Sequence, residues 1–324
     1  MDAEMSRLTH VPARDIPIPA SLSPEAQAFL EPRPAPEASY PPMGDKAAWK
    51  ALIAAREEGL LPLLKQINPD TSATVERRII DGVRVFDIAP CEEPEGSRAI
   101  VLEMHGGGLF LCGGELCGLM GVGAAGRFRR RVWAVDYRMP PDHPYPAALD
   151  DALGAYRALL RERSPHEIIV SGGSAGGNLA AALILRARDE GLPLPAGCVL
   201  NTPEIDLTES GDSFHTNLGV DPALRSLMAV NLMYANGQDL RHPYLSPLFG
   251  DFTQGFPPTL LVTGTRDLYL SNTVRMHRAL RAAGKPAQLH VVEAGGHGGF
   301  PGTPEGEEIT REVRQFISSV LGDR

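Results

Sequence analysis

The sequence is poor in cysteine, outweighed in positive charge and without any long apolar run. Its four cysteines, Cys91, Cys112, Cys117 and Cys198, form no CxxC pair and have no histidine partner at zinc spacing. In a chain of 324 residues they read as free, partly buried thiols, not as a disulfide or metal framework. Lys and Arg number 31 against 40 Asp and Glu, a net charge of −9, which speaks against a nucleic-acid partner. The densest basic run, Arg127-Phe128-Arg129-Arg130-Arg131, stands just before an apparent strand and reads as a solvated helix end. No stretch approaches the ~18 apolar residues of a membrane span, so no membrane partner is expected. The opening MDAEMSRLTHVPARD has no apolar core of a secretory signal, and a cytoplasmic location is the default expectation. No internal repeat is visible.

What is present is a chain of soluble globular composition, 43% hydrophobic and 22% charged, long enough for one large α/β domain or two smaller ones. Residues 1 to about 44 are rich in proline, which leaves room only for short helices and extended pieces. SPEAQAFL is one predicted helix, with Ser23 as N-cap and Pro24 at the first helical position. GDKAAWKALIAAREEGLLPLLKQI predicts a second, broken near Gly59 and Pro62. These elements do not alternate with strands, so residues 1–74 read as a helical cap segment.

From residue 75 the pattern changes to the expected catalytic domain, 75–324. Asp81-Gly82 between two β-rich runs signals a hairpin. The short apolar runs AIVLEM, VWAVDY, EIIVSG, GCVLNT, TLLVTG and QLHVVEA predict strands. Helical patterns fall at about 147–163, 178–190, 271–283 and 305–321. This alternation predicts an α/β fold with a mostly parallel sheet flanked by helices. Residues 203–257, with a helical pattern at about 221–235, look like an insertion contributing to the cap.

Two glycine-rich turns each follow a predicted strand: His105-Gly106-Gly107-Gly108 and Gly172-Gly173-Ser174-Ala175-Gly176. Neither cradles phosphate by the usual rules. Asn178, not lysine, follows Gly177, and the dinucleotide fingerprint fails because position 111 is Leu111. The second turn fits GxSxG in its required strand-to-helix setting, where small neighbours let a strained serine project above the sheet. The first would offer bare N–H groups to a tetrahedral oxyanion, each worth ~3 kcal/mol of barrier.

A serine nucleophile needs a base, and the base an orienting acid, in the chain order Ser, Asp or Glu, His. After Ser174 stand His215, His242, His277, His290 and His297. His277 falls on an amphipathic helix, His290 in a strand, and His215 and His242 in the insertion. Only His297 lies in a glycine-lined loop, EAGGHGGF, after the last strand. Asp267 ends TLLVTGTRD at another strand end, where catalytic groups of parallel sheets collect; Asp251 and Glu293 are weaker candidates.

HGGG, GGSAGG, DYRMPPDHPYPAALDD, YLSPLFGDF, LLVTGTRDLYLS and GGHGGF, in that order, resemble the hormone-sensitive-lipase-like branch of bacterial esterases within the α/β-hydrolase fold. The resemblance implies Ser174 as nucleophile, His297 as general base and then acid, and Asp267 as its orienter. It implies an oxyanion hole from the N–H groups of Gly107, Gly108 and Ala175, with His105, Asp136, Tyr137 and Arg138 supporting the loop. It implies a small-molecule ester as substrate, of short to medium chain, and no metal or organic cofactor. A lactone hydrolase or amidase would use the same triad, and a non-catalytic binding protein could share the fold. A homodimer is the assembly the resemblance allows for. Two positions depart from the family pattern. Gly173 stands where relatives carry Asp or Thr, and Glu204 stands in NTPEIDLT where an aromatic residue is frequent. Glu204 is expected either at the substrate pocket, making it more polar, or as a surface carboxylate.

Overall fold

The computed structural model describes residues 9–31, 39–68 and 73–322. Its centre is an eight-stranded sheet in the order β1-β2-β4-β3-β5-β6-β7-β8. Strands β1 (Thr74–Ile80) and β2 (Val83–Ala89) form the expected hairpin. Asp81 at φ 53° and Gly82 at φ 85° supply the two positive φ values that a two-residue type I′ turn requires. Strand β2 runs antiparallel to β4 (Arg131–Val135). From β4 outward every pairing is parallel, through β3 (Ile100–Met104), β5 (Ile168–Gly173), β6 (Gly197–Asn201), β7 (Thr259–Gly264) and β8 (Ala287–Val292). Strands β3 and β7 are buried along their whole length, as continuous apolar runs in a covered parallel sheet should be.

Helix α1 (Pro24–Phe29) begins as the sequence implies, with the Ser23 hydroxyl accepting from the Ala26 N–H at 3.1 Å and Pro24 at its first position. Helix α2 (Lys46–Ile67) corrects the expectation of a break: it runs through Gly59 and Pro62 without interruption. Pro62 and Glu58, whose carbonyl loses its partner, are both exposed, so water can replace the missing bond.

Helix α3 (Glu115–Phe128) joins β3 to β4. Its glycines lower helix propensity, but they let the helix lie close against the sheet: a Cβ on Gly121 would come within 2.5 Å of the Ile88 side chain. Only part of the basic run after it is a solvated helix end. Arg127 closes the helix and Arg129 caps it in the left-handed region, but Arg130 is buried and Arg131 opens β4, its guanidinium bonded to Asp87 at 2.6 Å. The buried Asp87 carboxylate needs that partner, which is why the run does not end in solvent.

Helix α4 (Ala147–Glu162) and helix α5 (Ala175–Asp189) pack on the same core cluster as the inner faces of β3 and β5. Helix α5 starts three residues before the predicted Asn178, directly after Ser174, and its alanine-rich length is almost wholly buried.

Residues between β6 and β7 carry two short helices, α6 (Ser213–Thr216) and α7 (Met228–Ala235). The pattern over 221–235 is helical only from Met228. Before it, the Asp221 carboxylate accepts the N–H groups of Ala223 and Leu224 as an N-cap would, but Arg225 donates to the carbonyls of Asp221 and Leu224, acceptors a continuing helix would use. Helix α8 (Leu270–Ala282) and helix α9 (Pro304–Leu321) complete the alternation; α9 starts at the Thr303 cap with Pro304, Glu305 and Glu307 in its first turn.

The segments outside the sheet meet its carboxyl edge. Trp49 of α2 joins Phe110, Leu111 and Leu116 after β3 and Val230 and Met233 of α7 in one buried cluster. Leu22, Ala26 and Leu30 pack instead on Ala294 and Phe300, on either side of His297. The hydroxyl of Ser23 and its N–H both donate to Glu305 at 2.7 Å. No helix among the described residues is long and apolar enough to cross a membrane. Cys91 is exposed and Cys112, Cys117 and Cys198 are buried, and none of the four is in a disulfide among the described residues.

Candidate active site

Ser174 occupies the sharp turn between β5 and α5, at φ 56° and ψ −126°. Such a conformation in a residue with a Cβ costs about 1–3 kcal/mol and persists only where its surroundings impose it. Here the Ser174 N–H donates to the Asn201 carbonyl at 2.9 Å, and the Ser174 carbonyl accepts from Glu204 at 3.0 Å. The flanking glycines are a steric necessity. A Cβ on Gly176 would lie 2.0 Å from the Met104 carbonyl oxygen, and one on Gly172 would lie 2.2 Å from that of Gly176. The end of β3 therefore passes directly against the serine turn.

That contact brings the His105–Gly108 loop to the same place. A Cβ on Gly106 would sit 3.4 Å from the Ser174 Cβ. Gly107, at φ 115°, lets the loop fold back, its carbonyl accepting from Leu111 at 3.0 Å. Among the described residues, the N–H groups of Gly107, Gly108 and Ala175 donate to no protein acceptor. The loop is held from behind. The His105 ring stacks on Tyr137 at 4.1 Å, and the Tyr137 hydroxyl donates to the His105 carbonyl at 2.7 Å. Burial draws His105 down to a pKa of about 4, so the ring is neutral at physiological pH. Asp136 accepts from Arg84 at 2.7 Å and from the Gly114 N–H at 2.9 Å, and Arg138 grips Asp151 at 2.7 Å. Glu57 of α2 accepts the Cys112 N–H at 2.7 Å, tying that helix to the same loop.

His297 follows β8 and reaches across the sheet edge. Its Nε2 lies 2.9 Å from the Ser174 Oγ and its Nδ1 lies 3.2 Å from the Asp267 Oδ1. Asp267, fully buried after β7, also accepts from the Thr263 hydroxyl at 2.7 Å and the Tyr269 N–H at 2.9 Å. With a carboxylate on Nδ1, the neutral ring carries its proton there and leaves Nε2 free to accept from the serine. Burial pulls the His297 pKa down, but the hydrogen bond and charge of Asp267, with the charges of Asp221 and Glu204, hold it above the ordinary 6.5. The structure thus brings Ser174, His297, Asp267, Gly107, Gly108 and Ala175 together.

The other histidines stand apart from this chain of contacts. His215 is on α6, His242 packs its ring between Tyr145 and Tyr244, His277 is on α8, and His290 on β8 pairs with Glu312. Asp251 is an exposed turn residue serving Thr253 and Gln254, and Glu293 is exposed just past β8.

Glu204 is no surface carboxylate: it is 1% exposed, and its N–H donates to the Ser174 carbonyl at 3.0 Å. Tyr269 and Asn231 lie against its carboxyl, yet neither oxygen has a partner at hydrogen-bond geometry. Burial pushes its pKa up to about 7. Tyr269 in turn sets its ring edge-on to His297 at 5.0 Å. Two further buried groups escaped the sequence reading. Asn217 donates to the Asp267 carbonyl at 2.8 Å, and the Asp221 carboxylate accepts from the N–H groups of Leu268 and His297 at 2.8 and 3.2 Å. The only trace of Asp221 in the sequence is an Asp-Pro pair, which marks a turn and nothing more.

One cluster has metal-ligand composition. Single ligand atoms of His105, Cys117 and Asp136 lie within 4.8 Å of one another. Asp136 is already paired with Arg84, whose charge repels a cation, and burial pushes the Cys117 thiol well above its usual range, so it stays protonated. These residues do not suit a cation.

Residues 101–301 match the family described as having the alpha/beta hydrolase fold. The chain is 35% identical to an acetyl-hydrolase of Streptomyces hygroscopicus over 202 residues, 59% of this chain and 66% of that one. It thus spans just under two thirds of that relative's length. Among solved structures it superposes on an esterase, E25, with a TM-score of 0.90 at 35% identity, covering 96% of this chain and 98% of that one. It also superposes on an esterase from the bacterial hormone-sensitive lipase family, with a TM-score of 0.78 at 28% identity and 93% and 99% coverage. The chain belongs to the α/β-hydrolase fold family. Within it, the chain falls in the bacterial hormone-sensitive-lipase-like branch.

Proposed function

We propose that the protein is a carboxylic ester hydrolase working through an acyl-enzyme. The observation that carries the reading is the unbroken hydrogen-bond chain from the Ser174 Oγ through His297 to the buried Asp267, set beside three unpaired backbone N–H groups. Ser174 attacks the ester carbonyl carbon while His297 Nε2 takes the hydroxyl proton. The carbonyl oxygen becomes an oxyanion facing the N–H groups of Gly107, Gly108 and Ala175. His297 then protonates the departing alcohol, and a water molecule, activated by the same imidazole, releases the acid and restores the serine. Asp267 fixes the ring tautomer and stabilises the imidazolium. Every proton has a donor and an acceptor within the site, so the cycle needs no cofactor.

The described parts of residues 1–74, together with residues 203–257, act as the cap that shapes the pocket, a role supported by the cluster joining Trp49 to Val230 and Phe110. Glu204, at the start of the inserted segment beside Ser174, makes the acyl side more polar, favouring short to medium chains over long apolar ones. The esterase and acetyl-hydrolase relatives support the ester-hydrolase reading.

Ser174→Ala should lower p-nitrophenyl ester turnover by about six orders of magnitude while leaving the urea unfolding midpoint in place. An organophosphonate should label the wild type once per chain and the variant not at all. Turnover retained by the variant sinks the assignment.

A further inference from the structure

Asp221 arrives from the segment inserted between β6 and β7, far in sequence from Ser174, Asp267 and His297, and it is completely buried. Four backbone N–H groups converge on its two oxygens. Leu268 and His297 donate to Oδ2 at 2.8 and 3.2 Å, and Ala223 and Leu224 donate to Oδ1 at 2.8 and 3.0 Å. Among the described residues no Lys or Arg side chain pairs with the carboxylate; Arg225 donates to the Asp221 backbone carbonyl instead. Two of the four donors belong to the loops that carry Asp267 and His297. The neighbouring Pro222 covers Gly296, where a Cβ would meet its ring at 2.7 Å. Asn217 and Ser213, on the same segment, bond the Asp267 and Leu268 carbonyls at 2.8 and 2.7 Å.

We propose that Asp221 is a positioning residue of the hydrolytic site, tying the Asp267 and His297 loops into one unit and placing a second negative charge beside the imidazole. The geometry does two things at once. A single carboxylate that accepts from both loops fixes their separation, and with it the Asp267–His297 contact of 3.2 Å. The charge also favours the imidazolium that forms when Ser174 is deprotonated. The charged and titratable groups facing His297 are Asp267 from the loop after β7, Asp221 from the insertion and Glu204 from the loop after β6, with Tyr269 edge-on. Asp267 orients the ring through its side chain; Asp221 acts on the backbone that carries it.

This inference rests on the triad reading, and the two fail separately. Ser174→Ala tests the triad, whereas the variants here are read from the size and pH dependence of turnover that remains. Asp221→Asn should lower kcat about ten- to a hundredfold, with KM little changed, because a misplaced base loses alignment steeply. It should also move the acid limb of kcat/KM to lower pH by about half a unit or more, since losing a nearby negative charge lowers the His297 pKa. Asn217→Ala removes a brace on the same loops without changing charge; it should lower kcat and leave the acid limb where it is. If Asp221→Asn does not fold, Asp221→Ser is small enough to fit the same space and carries the same expectation. In the wild type, ring NMR should show His297 titrating above 6.5. Wild-type kcat in the Asp221 variants, a loss of kcat with an unmoved acid limb, or a wild-type imidazole titrating at or below 6.5 overturns the proposal.

Discussion

Ser174 and His297 are 2.9 Å apart across one hydrogen bond, yet different forces hold them there. The serine turn is fixed by backbone atoms in contact. Its neighbours Gly172 and Gly176 have no room for even one carbon: Gly176 presses on the end of β3 and Gly172 on the first turn of α5. The base side is fixed by hydrogen bonds: Thr263 and the Tyr269 N–H close by on Asp267, and, from the inserted segment, Asn217 on the Asp267 carbonyl and Asp221 on the His297 N–H. Steric confinement is all-or-none, because backbone cannot move aside without moving a strand. Hydrogen-bond confinement is graded, because each bond can be removed alone.

The comparison breaks first on the steric side. Gly176→Ala places its Cβ 2.0 Å from the Met104 carbonyl oxygen and 2.6 Å from that of His105, both main-chain atoms that cannot swing away. The expected loss is on the order of 4 kcal/mol or more, enough to empty the folded state of many domains. Soluble yield and the urea midpoint should both collapse, and no ester turnover should remain. A variant with a wild-type midpoint would mean that the turn is not confined by contact.

On the polar side the effect should be smaller and depend on pH. Burial lifts the Glu204 pKa from 4.5 to about 7, so the folded protein binds that proton more tightly than the unfolded chain does. Wild type therefore loses stability relative to Glu204→Gln as pH rises from about 4.5 to about 7, and the deficit stays constant above. At pH 8 the variant should be more stable by roughly 3 kcal/mol, and below pH 4 the difference should vanish. Urea melts at the two pH values check this, and a difference independent of pH would refute the buried-acid account. Glu204→Trp should shift preference from short toward medium acyl chains, and an unchanged chain-length profile would remove Glu204 from the pocket.

The same division explains what could be read in the residues beforehand. Steric confinement writes itself locally: HGGG and GxSxG are glycine where chain meets chain, while Gly298, Gly299 and Asp81-Gly82 answer the positive φ of their turns. The parallel sheet was legible because covered strands must be apolar throughout. Polar confinement leaves no local mark. Asp221 and Asn217 become meaningful only when folding sets a segment 46 residues upstream of Asp267 and 76 upstream of His297 against both loops, as the Leu268 and His297 donors show. Helix α2 runs on through Pro62 because its exposed face can hydrate the orphaned carbonyl, a fact of burial and not of propensity.

Gly173 sharpens the comparison with the smallest effect. It stands between two confined glycines' carbonyl frames, immediately before Ser174, yet it is not itself confined. A Cβ there would meet the Asn201 carbonyl oxygen at 3.6 Å and the Asn201 side chain at 4.0 Å, both ordinary contacts, and its φ is not positive. The resemblance places Asp or Thr at this position, and the space agrees. Gly173→Thr should fold and gain about 0.5–1 kcal/mol, because the unfolded chain loses freedom and a β-branched residue suits the end of β5. The thermal midpoint should rise by about 1 °C, and ester turnover should stay within about twofold. A stabilised variant with a much larger loss of turnover would relocate the reason for Gly173 from the fold to the substrate, whose path past Ser174 would then need the bare backbone that relatives do without.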